Sequence, residues 1–306
     1  MPTKFPYKIV TLGSHSALQI LHGAKIEGFS TIVLCKKDMV KTYTLFNVAD
    51  EIITIDSYDE LVNLQDMLIK KKSIIIPHAS FITYIVYEVV EKLKIPYFGN
   101  KKILRWESDR DLERKWLRQS GLRLPKIYRN PKDINKPVIV KFHGARGGKG
   151  YFVAKNEMDF NEKILPYKGL RYNIQEYIIG VPIFVHYFYS PLKNELEIMG
   201  FDKRYESNVD SLGRISARDQ FALEKIDPSY VIVGNMPLVI RESFLGKIID
   251  MGERVVEESK KIAPPGLFGP ICLETIITPE EDIFTFEISA RIVAGTNPYI
   301  EGSPYT

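Results

Sequence analysis

Strand-length apolar runs alternate with helix-length segments through the first hundred residues, and this alternation limits the fold more than any other feature of the chain. KIVTL (8–12), TIVLC (31–35), EIITI (51–55) and SIIIP (73–77) read as strands. Helices are predicted at 17–27, closed by Gly28, and at 58–71 and 81–94. Repetition of strand, helix and strand builds a parallel sheet with helices on both faces. The loop after the first strand is 13-GSHS-16 rather than GxGxxG, which disfavours a dinucleotide site.

Near residue 100 the pattern changes. Ser108 reads as the N-cap of a basic helix, 109–119, ended by Gly121. Strands then dominate to about 205: 137–142, 150–155, 172–179 and 183–190. Residues 206–236, rich in Gly, Ser, Asn and Asp, read as long loops, followed by a helix at 238–262 and strands at 270–278 and 283–293. The expected class is α/β (α+β), with an N-terminal parallel α/β domain over 1–100 and a second unit over 101–306. A β-rich lid is expected at about 122–190 of that second unit.

With 306 residues, 45% of them hydrophobic and 26% charged, the chain has the profile of a soluble globular protein. Its net charge of +4 suits a phosphate-bearing ligand. No basic run interleaved with aromatics points to nucleic acid. Cys35 and Cys272 lie in predicted buried strands and form no CxxC, as in a reducing cytosol. The N-terminus lacks the pattern of a secretory leader, and no apolar run reaches the ~18 residues of a membrane span. A cytoplasmic protein without a membrane role is expected.

The last two predicted strands carry the sharpest chemical signal. In 284-FTFEISARIVAGTN-297, period two sends Phe286, Ile288, Ala290 and Ile292 to one side and Glu287, Ser289 and Arg291 to the other. The turn 279-PEED-282 pairs Thr278 with Ile283, and the same register sets Glu274 opposite Glu287. Facing carboxylates repel. Three compensations are open: divergence into water, a shared proton, or a divalent cation such as Mg2+, which takes one or two carboxylates plus phosphate oxygens.

A phosphate site has its candidate in 138-VIVKFHGARGGKGYFVAK-155. Four glycines between two strands, with Lys141, Arg146 and Lys149, make an anion-binding turn, against the plainer reading of a flexible hairpin. It is not a Walker A loop, since His143 and Gly150 occupy the positions that would need Gly and Ser/Thr. A second anion site is suggested by Ser14, His15 and Ser16, which open a helix after the first strand. His78 and Ser80 end another strand of the same sheet, although each alone is more often a cap. His22 and His186 read as structural, and His143 stays open.

Lys141 on its strand, GARGGKG, the run 175-QEYII-179 and the acid-bearing strand pair together resemble the ATP-grasp ligases. The superfamily's last strand usually reads Glu-x-Asn-x-Arg. Here Glu287, Ser289 and Arg291 match it with serine in the asparagine place, so either Ser289 or Asn297 is the candidate third metal contact. A closer resemblance covers nearly the whole chain. The stretches 14-SHSALQILHGAKIEGF-29, 204-RYESNVDSLGRI-215, 230-YVIVGNMPLVIRES-243 and 287-EISARIVAGTNPY-299 look like the archaeal formate-dependent ligases of purine synthesis. Two departures are 78-HAS-80, where His-Gly-Ser is commoner, and an end at Thr306, where that family usually continues with a further helix.

The resemblance implies an ATP-grasp domain pair and a reaction of ATP, formate and 5-aminoimidazole-4-carboxamide ribonucleotide. It implies Mg2+, or alternatively Mn2+, on Glu274 and Glu287. ATP would meet Lys141, Arg146, Gly147, Gly148, Lys149 and Gly150 with its phosphates, Gln175, Glu176, Tyr177 and Ile178 with its adenine, and Glu206 with its ribose. The ribonucleotide would meet His15, Ser16, Ser80 and Asn235, and Arg291 would lie near the reacting group, with a salt bridge to one of the glutamates as its plainer role. A homo-oligomer is compatible with the resemblance. The alternatives are a ligase for another acid or amine, and a nucleotide-binding regulator without turnover.

Overall fold

The computed structural model describes residues 4–14, 16–142, 150–222, 229 and 231–295. The N-terminal strands form as expected: β1 (Lys8–Leu12), β2 (Ser30–Cys35), β3 (Glu51–Thr54) and β4 (Ser73–Ile75). They order as β3-β2-β1-β4 and pair in parallel. Helices α1 (Ala17–Ile26), α2 (Val40–Phe46) and α3 (Leu61–Lys70) connect them. Sequence periodicity had not indicated α2. The helix expected at 81–94 is two short ones, α4 (Ser80–Thr83) and α5 (Tyr87–Lys92), because the β-branched Val86 stands extended at φ −67°, ψ 142°.

A second correction concerns the next helix. α6 (Lys101–Ser108) precedes α7 (Arg110–Gln119), so Ser108 ends one helix and does not cap the other. The cap is Asp109, whose Oδ1 accepts from the backbone N–H of Asp111 and Leu112 at 2.9 and 3.1 Å. The remaining strands make two antiparallel sheets. One orders as β5-β8-β6-β7 and comprises β5 (Ile127–Tyr128), β6 (Val138–Phe142), β7 (Tyr151–Ala154) and β8 (Tyr172–Glu176), with α8 (Glu157–Lys163) beside it.

The other sheet orders as β11-β10-β9-β12-β13. It holds β9 (Val181–Ser190), β10 (Glu195–Glu206), β11 (Ile232–Pro237), β12 (Gly269–Ile277) and β13 (Ile283–Ser289). The segment read as loops therefore contributes β11, along with α9 (Val209–Leu212) and α10 (Ala217–Ala222). Strand pairing with β10 outweighs its turn-rich composition. The late helix α11 (Leu245–Ile262) starts seven residues after the expected position.

One face of the five-stranded sheet is core. Val185, Tyr187, Leu273 and Ile288 pack with Trp116 and Leu117 of α7 and Ile248 and Val255 of α11. Buried polar tips find partners: Trp116 Nε1 donates to Val255 O at 3.2 Å and Tyr187 OH to Ile248 O at 2.9 Å. The opposite face is polar and looks towards the four-stranded sheet. Residues 177–180 link the two sheets, and Gly180 lies so close to β12 that an added Cβ would sit 2.4 Å from Ile277 O.

Asn100 ties the start of α6 to the turn after α11. Its Oδ1 caps Lys102 N, and its Nδ2 donates to Ala263 O and Gly266 O at 2.8 and 2.9 Å. Loss of the cap and two partly buried bonds in Asn100→Ala is expected to cost roughly 1–3 kcal/mol, measured by urea unfolding. A change within about 0.5 kcal/mol would contradict this account.

Candidate active site

The polar face of the five-stranded sheet is set by register. Asp202 pairs with Phe184, Phe184 with Glu274, and Glu274 with Glu287, so these four side chains stand in one row across β10, β9, β12 and β13. The expected Glu274–Glu287 pairing is present, but its route differs. Thr278 N donates to Asp282 O and Glu281 N to Thr278 O, with Glu281 at φ 63°, so the turn is one residue tighter and Ile277 pairs with Ile283. A bulge at Phe286 then restores the register. It also turns Phe286 away from the core side to which alternation assigned it. The ring lines the same cleft as Glu287 and packs edge-on to Phe184 at 6.4 Å.

Glu274 is compensated by a partner the sequence reading did not supply. The Arg204 guanidinium lies 3.7 Å over the Phe184 ring and bonds both Glu274 oxygens, Nη2 to Oε1 at 2.8 Å and Nη1 to Oε2 at 3.2 Å. Glu274 is buried, which excludes divergence into water. Two carboxylates with hard oxygens suit a cation that takes its other ligands from phosphate. Among the described residues no group of three His, Cys, Asp or Glu side chains could hold a metal alone. Ser289 is buried opposite Cys272, one row from the pair.

Lys141, Gly150, Gln175, Glu176, Tyr177, Ile178, Glu206, Glu274 and Glu287 all line one cleft of about 370 Å3 between the two antiparallel sheets. Lys141 Nζ lies 5.1 Å from the Phe286 ring centre. Burial pushes its ammonium down, and the Glu287 charge opposes that shift. The Glu176 carboxylate is used structurally, paired to Lys136 and accepting from Lys126 N. Burial, then the Asp210 charge, raises Glu206.

Other predicted residues are not part of that cleft's lining. Ser16 and Ser80 follow neighbouring strands β1 and β4, fully buried, with hydroxyls that have no hydrogen-bond partner among the described residues. His78 Nε2 meets Leu12 O at 2.8 Å. Asn235 stands on β11 opposite Arg204. Arg291 pairs with a glutamate, but with Glu107 of α6 at 2.8 Å rather than with either strand glutamate. It lines a separate cavity of about 730 Å3 that also reaches Glu287. His15, His143, Arg146, Gly147, Gly148, Lys149 and Asn297 lie outside the described residues.

Several residues that shape the site escaped the sequence reading. Asp202 and Arg204 alternate with the expected Glu206 along β10, the same period-two signal that marks Glu287 and Arg291. Glu107 and Glu113 had no such signal. Both sit on strongly basic helices where a glutamate reads as solvated, yet both are buried against β13. Glu113 Oε1 accepts from Ile288 N at 2.8 Å and Glu107 Oε2 from Ala290 N at 3.0 Å.

Two measurements check this geometry. Glu113→Ala leaves the Ile288 N–H without its acceptor and is expected to lose about 1–3 kcal/mol of stability, while Glu113→Gln, which keeps an acceptor, loses less than half of that. Equal losses would refute the bond's importance. Burial also pushes the Glu274 carboxyl up to about 7, with Arg204 opposing and the Glu287 charge reinforcing. The folded state thus holds this proton more tightly than the unfolded chain. That stabilisation is complete below the ordinary value of 4.5 and is lost as pH rises through about 7. Urea unfolding of ligand-free protein from about pH 5 to 8 should show a decline of order 1 kcal/mol that Glu274→Gln flattens. An unchanged slope in the variant would contradict the assignment.

Comparison with known proteins agrees with this architecture. A family model described as a domain of unknown function (DUF1297) matches residues 152–306, and one described as a protein of unknown function (DUF1246) matches residues 9–128. The chain is 50% identical to the 5-formaminoimidazole-4-carboxamide-1-(beta)-D-ribofuranosyl 5'-monophosphate synthetase of Pyrococcus abyssi, across 99% of this chain and 90% of that protein. The synthetase of the same name from Methanocaldococcus jannaschii is 47% identical, across 97% and 86%. The crystal structure of an IMP biosynthesis protein PurP from Thermococcus kodakaraensis matches with a TM-score of 0.75 at 28% identity, over 94% of this chain and 87% of that one. An ADP complex of N5-carboxyaminoimidazole ribonucleotide synthetase matches at 0.71 and 19% identity, over 96% and 72%, and shares the ATP-grasp fold. Near-complete coverage at about half identity, on a matching fold, shows that the chain belongs to the family of 5-formaminoimidazole-4-carboxamide ribonucleotide synthetases.

Proposed function

We propose that the chain is an ATP- and formate-dependent carbon–nitrogen ligase that formylates 5-aminoimidazole-4-carboxamide ribonucleotide and releases ADP and phosphate. The observation that carries this reading is the Glu274–Glu287 pair facing Lys141 across a cleft, in a chain whose relatives bear the synthetase's name. Formate is a poor electrophile because its carbonyl carbon shares a carboxylate charge. A formate oxygen attacks the γ-phosphorus of ATP and ADP leaves. The substrate amine then attacks the carbon of formyl phosphate, phosphate departs and the nitrogen sheds a proton.

The protein's part is to position these groups and neutralise their charge. Lys141 and the loop ending at Gly150 face the phosphates. The backbone of Gln175–Ile178 meets the adenine, and Glu206 its ribose. Glu274 and Glu287 would hold Mg2+, which would supply charge neutralisation on the phosphates, and Arg204 fixes the Glu274 carboxylate in place. Ser16 and Ser80, with buried hydroxyls awaiting partners, take the ribonucleotide together with His15 and Asn235. Arg291, held by Glu107, orients the small acid. Residues 1–100 serve the ribonucleotide, and 101–306 serve ATP, with 122–190 as lid.

ADP release is measured with ATP, magnesium, formate and the ribonucleotide, omitting each in turn. Release is expected only from the full mixture. Equal release without formate, or none from the full mixture while ATP binds, would sink the proposal. Glu287→Gln is expected to lose at least about 100-fold in turnover with an unchanged circular dichroism spectrum. Full activity in that variant would refute its role.

A further inference from the structure

Asp202 is fully buried on β10, and both its oxygens are taken by side-chain N–H groups. His186 Nε2 of β9 reaches Oδ1 at 2.5 Å, so that nitrogen carries the proton. Asn235 Nδ2 of β11 donates to Oδ2 at 2.6 Å. The chain leaving β13 passes directly over the carboxylate, because a Cβ added at Gly295 would sit 2.3 Å from Oδ1. Three separate segments thus close around one buried acid. Burying a carboxylate is costly when, among the described residues, its only side-chain donors are an imidazole and an amide. A tie between strands needs no charge there.

What the carboxylate does uniquely is choose the orientation of the Asn235 amide. A carboxylate only accepts, so it admits the NH2 end and repels the carbonyl end. The Asn235 carbonyl oxygen has no hydrogen-bond partner among the described residues, and the side chain stands on the site face opposite Arg204. We infer that Asp202, backed by His186, is a positioning residue that turns the Asn235 carbonyl oxygen towards the ribonucleotide, so that the site demands a hydrogen-bond donor at that point. This rests on the proposal that Asn235 contacts the ribonucleotide.

The test is a double-mutant cycle on Asp202→Asn and Asn235→Ala, reading KM separately for ribonucleotide and ATP. Asparagine at 202 can pair with either end of the Asn235 amide and removes the choice. Asp202→Asn alone is expected to raise ribonucleotide KM at least about tenfold, and to leave ATP KM within about twofold. In the Asn235→Ala background the same change should add less than about twofold, because its effect runs through Asn235. Additive losses, or equal rises in both KM values, would reduce Asp202 to a fold element and overturn the inference. A loss in Asn235→Ala with none in Asp202→Asn overturns it while leaving the contact standing. No loss in Asn235→Ala removes the contact and the inference together. Should Asp202→Asn fold poorly, His186→Asn leaves Asp202 singly held and is expected to give the same split at a smaller size, with no split counting against the inference.

Discussion

The outer edge of β13 is closed by carboxylates instead of by another strand. β13 is the last strand of its sheet, and it carries Glu287. An edge strand exposes backbone N–H groups that must find acceptors. Here Glu113 takes Ile288 N–H, Glu107 takes Ala290 N–H, and Arg123 O takes Thr285 N–H. Helices α6 and α7 are thereby fastened to the strand by bonds that also fix where Glu287 stands. Burial raises both glutamates, with the Glu287 charge adding to the effect at Glu113 and Arg291 opposing it at Glu107. The site strand is thus held in a dense field of acids, and the cations around it are structural necessities as much as ligand contacts.

Those cations are placed diagonally. Directly across the strands, the row runs acid, ring, acid, acid: Asp202, Phe184, Glu274, Glu287. The Arg204 guanidinium crosses the Phe184 ring to Glu274, two residues along β10 from Asp202, while Asp202 receives hydrogen bonds from His186 and Asn235. The aromatic ring at the centre keeps the two acid groups apart and gives the guanidinium a flat surface to lie on.

Much of this was legible in the chain. The βαβ series, the parallel sheet, the lysine strand and the facing of Glu274 with Glu287 follow from periodicity and turn counting. That facing emerges from two departures that cancel, a tighter turn and a bulge at Phe286, neither visible in the pattern. β11 is hidden because Gly234, Asn235 and Pro237 are turn-formers, held extended by pairing with β10. Ser108 and Asp109 are both cap-formers, and only the local backbone decides that Asp109 caps the helix. Glu107 and Glu113 were illegible for a deeper reason. A glutamate on a basic helix is ordinary surface until another strand's unpaired amides are brought to it.

The link between the two antiparallel sheets, residues 177–180, has a consequence for the size of the cleft. Tyr177 and Ile178 are wall, and Gly180 is pressed against the Ile277 carbonyl with no room for a methyl group. Three of these four residues, Tyr177, Ile178 and Gly180, are therefore both lining and tether. The gap between the sheets cannot be widened by adding residues there without moving the wall that a ligand would touch. In mechanical terms the cleft is a clasp whose hinge pin is also one of its jaws, so its gauge is written into the covalent length of the backbone.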